Sequence, residues 1–105
     1  MTDQPEVIVI WEFEVRTDSE DEFRQIYGNE GDWAQLFRRA EGFRGTELLR
    51  DLAAPRRYFT LDRWSSLAAF EAFGSGHNAE YRELDERCAG LTVTERRLGS
   101  FAIVP

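Results

Sequence analysis

The chain has 105 residues, 20 of them acidic and 13 basic, for a formal charge of −7. That length suits a single domain over residues 1–105, and 42% hydrophobic with 13% aromatic residues excludes a disordered chain. The acidity argues against nucleic acid and anionic membrane surfaces as partners.

The first periodic segment is Glu6–Arg16, where Val7, Val9, Trp11, Phe13 and Val15 alternate as in a strand. Ile8 and Ile10 make its first half apolar on both faces, so that half is expected to be covered on both sides. Thr17-Asp18-Ser19-Glu20 reads as a capping box, followed by Phe23, Ile26 and Tyr27 at helical spacing and a stop at Gly28. Asp32 reads as the N-cap of a second helix carrying Trp33, Leu36, Phe37 and Ala40, with Gly42 just past its end. Phe43–Asp51 and Arg57–Trp64 read as a hairpin of strands joined through Pro55. Ser65 or Ser66 caps a helix bearing Leu67, Phe70 and Phe73, and Gly74-Ser75-Gly76 breaks it. Asn78 caps another helix with Tyr81, Leu84 and Cys88 on one face. The last strand, Thr92–Val104, places Val93, Phe101 and Ile103 on one face, interrupted by Glu95, Arg97 and Gly99.

The order β-α(α)-β-β-α(α)-β is that of a ferredoxin-like split βαβ in the α+β class. It predicts a four-stranded antiparallel sheet with helices on one face. Ile8, Ile10, Phe59 and Leu61 are then left on the other. Burying each large apolar side chain is worth roughly 1.5–3 kcal/mol, so the expected solution is a twofold homodimer packed sheet face to sheet face.

All basic residues are Arg, which excludes Schiff-base chemistry and a phosphate-loop lysine. The acidity is uneven: residues 1–32 carry a balance of −8 and residues 33–105 one of +1. Cys88 is the only cysteine and His77 the only histidine, too few for a Cys/His zinc site within the chain. Met1–Pro5 has no basic leader, Val7–Trp11 is too short for a signal sequence, and no apolar run is long enough to cross a membrane, so a soluble cytoplasmic protein is expected.

The run Gly42-Phe43-Arg44-Gly45-Thr46-Glu47-Leu48-Leu49-Arg50 resembles the opening of the second strand in antibiotic biosynthesis monooxygenase (ABM) domains. Tyr58–Phe70, with Trp64-Ser65-Ser66 as a W-x-S motif, resembles that family's third strand and following helix. The resemblance implies the dimeric α+β barrel, a homodimer with a small-molecule pocket between sheet and helices. It implies, for enzymatic members, oxidation of polyketide-type quinols by O₂ without metal, flavin or haem. Active members line the pocket with a strand asparagine. Here Asn29 and Asn78 both fall outside the expected strands, which favours a second reading: a non-catalytic ligand carrier, sensor or assembly module on the same fold.

A cofactor-free oxygenase must deprotonate an electron-rich phenol in a dry, aromatic-walled pocket. Asp62, Glu12 and His77 are the candidate bases; Trp64, Tyr81, Trp33, Tyr27 and Phe73 are the candidate walls for a hydrophobic or aromatic ligand. Each has a plainer role available. Trp64 suits a strand-to-helix corner, Trp33, Tyr27 and Tyr81 suit helix packing, His77 suits an exposed site beside a helix cap, and Glu12 and Asp62 suit solvated strand ends or dimer-interface pairs with Arg96 and Arg97.

Overall fold

Alternation in the first strand has a direct structural counterpart. In the computed structural model, which describes residues 4–75 and 79–105, β1 (Val7–Val15) buries Val7, Val9, Phe13 and Val15 on one face. It is followed by α1 (Glu20–Tyr27), α2 (Asp32–Phe37), β2 (Phe43–Arg50), β3 (Arg57–Trp64), α3 (Leu67–Ser75), α4 (Ala79–Cys88) and β4 (Thr92–Ala102). The sheet order is β2-β3-β1-β4, every neighbouring pair antiparallel, which is the ferredoxin-like arrangement. The two central strands are the ones whose alternate residues are most fully buried.

Register fixes which side chains share a face, because directly opposed residues lie on the same side. Val9 opposes Asp62, Trp11 opposes Thr60 and Phe13 opposes Tyr58, while Thr46 opposes Asp62 on the far side of β3. These residues look toward the helices. One core cluster gathers Phe13, Phe23, Tyr27, Trp33 and Tyr58; a second forms around Val7, Val9 and Trp64. Phe23 and Tyr27, one helical turn apart, stack at 4.2 Å. Trp64 is ringed by Phe37, Phe43, Phe70 and Phe73 at 5.2–5.8 Å, and such pairs add about 0.5–1.5 kcal/mol beyond area burial.

The opposite face carries Ile8, Ile10, Phe59 and Leu61, half-buried, with Leu49 and Phe101 exposed. The Phe43–Arg50 and Arg57–Trp64 strands sit where their patterns place them, and Ser66 caps α3 by accepting from the Ala69 amide at 3.1 Å.

Local corrections follow from competing partners. The Thr17–Glu20 capping box does not form: α1 starts at Glu20 after Ser19 without a side-chain cap. The Glu20 carboxylate instead accepts a hydrogen bond from the Tyr58 hydroxyl at 2.8 Å, and that hydroxyl accepts one from Arg24 Nε at 2.9 Å. Gly31, not Asp32, is the N-cap of α2. Gly42 lies beyond the helix end rather than against it. Its φ of +98° and its closeness to the α3 corner serve the entry to β2, where an added Cβ would meet Ser65 Oγ at 2.7 Å and Ala69 Cβ at 2.8 Å. The expected cap Asn78 lies outside the described residues.

The last strand departs most from simple alternation. Its pairing with β1 shifts register between Ile10 and Trp11 and again between Glu14 and Val15. Leu98 is the extra residue at the first shift and Gly99, at φ +150°, follows it. As a result Glu95 and Arg97 oppose Phe13 and Trp11 on the helix side, while Phe101 opposes Ile8 on the open side. These charges do not interrupt the Phe101 face; the bulge sends them to the other one.

Candidate functional site

Period-2 alternation in β3 points Tyr58, Thr60, Asp62 and Trp64 at the helical layer, and all four are buried. At the Trp64 end the layer stands away from the sheet and leaves a cleft of about 400 Å³. Its walls are Trp11, Phe37, Trp64, Phe70 and Phe73, with Asp62 at the inner end and Tyr81, Arg82 and Arg97 at the edge. A narrow recess of about 50 Å³ continues from it through Asp62 and Tyr81 to Tyr27, Trp33, Asp85 and Glu95.

Asp62 sits where the two spaces meet. It is 7% exposed, and among the described residues its one hydrogen bond comes from Thr46 Oγ1 at 2.7 Å. Burial pushes its carboxyl up to about 6, partly opposed by the Thr46 hydrogen bond. Glu95, across the recess, is also raised, first by burial and then by Asp85. The Tyr81 phenol is raised by burial and by the neighbouring carboxylates Asp85, Glu95 and Asp62. The space around buried Asp62 and the exposed Asp85 and Glu95 is thus acidic and favours a proton donor as its guest.

Two buried indole N–H groups, those of Trp64 and Trp33, have no hydrogen-bond partner among the described residues. Trp33 Nε1 lies near enough to the Tyr27 hydroxyl and the Cys88 thiol to ease both groups' raised pKa values, but completes no well-formed hydrogen bond. Trp64 is 1% exposed and lines the cleft with part of its ring, while its unpaired N–H is buried. A buried donor left unpaired costs about 1–3 kcal/mol.

The structure brings Asp62, Trp64, Tyr81 and Phe73 around one cleft, and Trp33 and Tyr27 around its inner recess, where they are also core. Glu12 is not among them. It alternates with Trp11 and Phe13, so the sheet lies between it and the cleft. There Arg57 Nε donates to it at 2.6 Å and Arg96 at 3.0 Å, which holds its carboxyl below the usual range. Glu12 pairs with Arg96 within its own chain, not across the dimer interface that the sequence suggested; Asp62 bonds to Thr46 instead, and Arg97 is carried to the cleft by the bulge. His77 lies outside the described residues. Sequence reasoning missed Thr46, Arg82 and the cleft-side placement of Arg97; glycine within the strand at Gly99 is the one local signal of the bulge.

Among the described residues no group of His, Cys, Asp and Glu has metal-binding geometry, and no helix is long and apolar enough to cross a membrane. The fold is similar to that of SnoaB, a cofactor-independent oxygenase from Streptomyces nogalater, with a TM-score of 0.78 and 22% identity over 96% of this chain and 95% of that one. A protein from Bordetella bronchiseptica is similar at a TM-score of 0.76 and 22% identity, covering 97% and 100% of the two chains. One from Deinococcus radiodurans gives 0.74 and 15%, covering 94% and 93%. Among curated proteins none matches. The profile of the antibiotic biosynthesis monooxygenase family matches residues 6–84, and the chain belongs to that family.

Proposed function

We propose that the protein is a cofactor-independent monooxygenase that oxidises aromatic, polyketide-type quinols or anthrones in the cleft beside Trp64. The observation that carries this reading is Asp62: a buried carboxyl, pushed up to about 6 by that burial, where an aromatic-walled cleft meets its narrow recess. A base is most effective when its pKa lies near the working pH. Ionised Asp62 takes the proton of an acidic phenol or of an anthrone methylene, and Trp64 and Phe73 flank the resulting planar anion. The electrons O₂ takes come from the substrate itself. With an anthrone, one oxygen atom ends in the new carbonyl and the other leaves as water. SnoaB's description as a cofactor-independent oxygenase supports the reaction class.

The apolar open face supports a homodimer as the working unit, each sheet covering the other's Ile8, Ile10, Phe59 and Leu61.

A second reading, a non-catalytic binding module, draws on the polar groups that strands place in the recess. These are Thr46, Thr60, Asp62 and Glu95, with no asparagine among them. O₂ uptake with an anthrone and a dihydroxynaphthalene decides between the two. Uptake above the buffer blank that falls at least tenfold in Asp62→Asn supports the oxygenase. Uptake equal to the blank with both substrates leaves the binding module.

A further inference from the structure

The narrow recess behind the cleft has carboxylates at both ends. Asp62 stands at the inner end, where recess and cleft meet, and the exposed Glu95 and Asp85 stand at the outer. Sheet register sets the spacing. Asp62 opposes Val9, Thr60 opposes Trp11 in the next row of the helix-side face, and Glu95 opposes Phe13 in the row after that. Along the strands, Thr60 therefore lies between Asp62 and Glu95 in the recess wall.

Two polar atoms in this wall are left open. Thr46 bonds one oxygen of Asp62, and the second oxygen has no partner among the described residues. Thr60 is 5% exposed, and its hydroxyl likewise makes no hydrogen bond to a described residue. Neither atom is sealed away as the Trp33 and Trp64 indole N–H groups are. Buried polar groups take partners. A space of about 50 Å³ lined by Thr46, Thr60, Asp62, Tyr81 and Glu95 has the room and the polar neighbours that water requires. Burial also raises both the Asp62 and the Glu95 carboxyl, so each can hold a proton in passing.

We infer that the recess is a proton path linking Asp62 to solvent, through water held on the Thr60 hydroxyl and with Glu95 as its outer relay group. This rests on Asp62 acting as the base of the cleft, as proposed above, and adds how that base exchanges its proton. A planar ring system seated against Trp64 and Phe73 closes the wide side of Asp62 and leaves the recess as its way out. The transfer needs no oxidant. A methylene C–H bond of an anthrone breaks, its electron pair stays on the ring system as the anthranol anion, and the proton bonds to Asp62. Asp62 passes it to recess water, the water passes one on to Glu95, and Glu95 releases it to bulk. The reverse sequence returns a solvent proton to the carbon.

Anaerobic exchange of anthrone methylene hydrogens in D₂O, followed by proton NMR, reads this transfer without turnover. Deuterium is expected to enter faster with the wild type than in the buffer blank, and at the blank rate with Asp62→Asn. Glu95→Gln should slow entry by at least about tenfold, with anthrone affinity by calorimetry unchanged. Glu95→Asp, which keeps a carboxylate, should retain part of the rate. Added acetate should restore exchange in Glu95→Gln in proportion to its concentration, a response that a merely structural role for Glu95 would not give. Exchange in Glu95→Gln equal to wild type, or slowed exchange that acetate does not restore, overturns the path and leaves Asp62 as the base. Exchange in Asp62→Asn equal to wild type, or wild-type exchange no faster than the blank, removes the base and the path together.

Discussion

Thr46 Oγ1 donates a 2.7 Å hydrogen bond to Asp62 Oδ1 across the β2–β3 pair, the two residues standing directly opposite each other on the buried face. The bond favours the ionised carboxyl while burial disfavours it, and burial is the larger effect. The folded protein therefore binds a proton at Asp62 more tightly than the unfolded chain does. Stability from this group is fully present below the ordinary aspartate pKa and is lost as pH rises from about 4 through about 6. The displacement amounts to about 3 kcal/mol at neutral pH. Asp62→Asn should gain stability relative to wild type by roughly that amount between pH 4 and 7, read from urea denaturation at each pH. A stability difference that does not change with pH would show that Asp62 titrates normally. The other recess groups, Tyr27, Tyr81, Asp85 and Glu95, are common to both proteins, so the difference isolates Asp62.

Thr46→Val keeps the shape of the side chain and removes the donor. A hydrogen bond to a charged group is worth about 1.5–3 kcal/mol, so Asp62 should titrate about one to two units higher in the variant. Carboxyl-labelled NMR titration measures this, and the acidic limb of any oxygenase pH profile should move upward with it. An unmoved or lowered Asp62 pKa would mean that the hydrogen bond does not favour the anion.

The cleft was partly legible because β3 alternates: counting back from Trp64 in twos gives Asp62, Thr60 and Tyr58, all on one face. The same count puts Glu12 opposite Trp11 and Phe13, away from the cleft. Thr46 was hidden because its meeting with Asp62 depends on the β2–β3 register, which includes a shift between Phe43 and Gly45. Arg97 was misplaced because one extra residue in a strand inverts every side chain beyond it. Arg82 depends on how α4 docks, and the helix pattern fixes only its buried side, Leu84 and Cys88. The capping box failed for a tertiary reason, since Tyr58 and Arg24 claim Glu20.

Gly42 joins the β2 entry to the α3 corner, with its carbonyl accepting from the Ser65 amide at 2.7 Å. Alanine there must adopt a φ of +98° and also press its methyl on Ser65 and Ala69. Strain of this kind costs of order 1–3 kcal/mol. Gly42→Ala should therefore lower Tm by roughly 4–8 °C per kcal/mol in a domain of this size, as thermal denaturation followed by circular dichroism would report. A Tm within a degree or so of wild type would mean the corner relaxes at no cost.

The open sheet face gives the last expectation. Ile10 and Leu61 are paired neighbours at its centre, flanked by Ile8 and Phe59. A stable interface needs about 800 Å² per partner, which a packed sheet face can supply. The wild type should sediment at about twice the chain mass of 12.2 kDa. Leu61→Arg places an unpaired cation at the centre of that contact and should sediment as the single chain with its circular dichroism spectrum unchanged. The side chain points away from the cleft, so ligand affinity measured on the dissociated chain reports whether the second subunit contributes to the site. A wild type that runs at 12.2 kDa at micromolar concentration would remove the face-to-face dimer and leave the apolar patch as solvent-exposed surface.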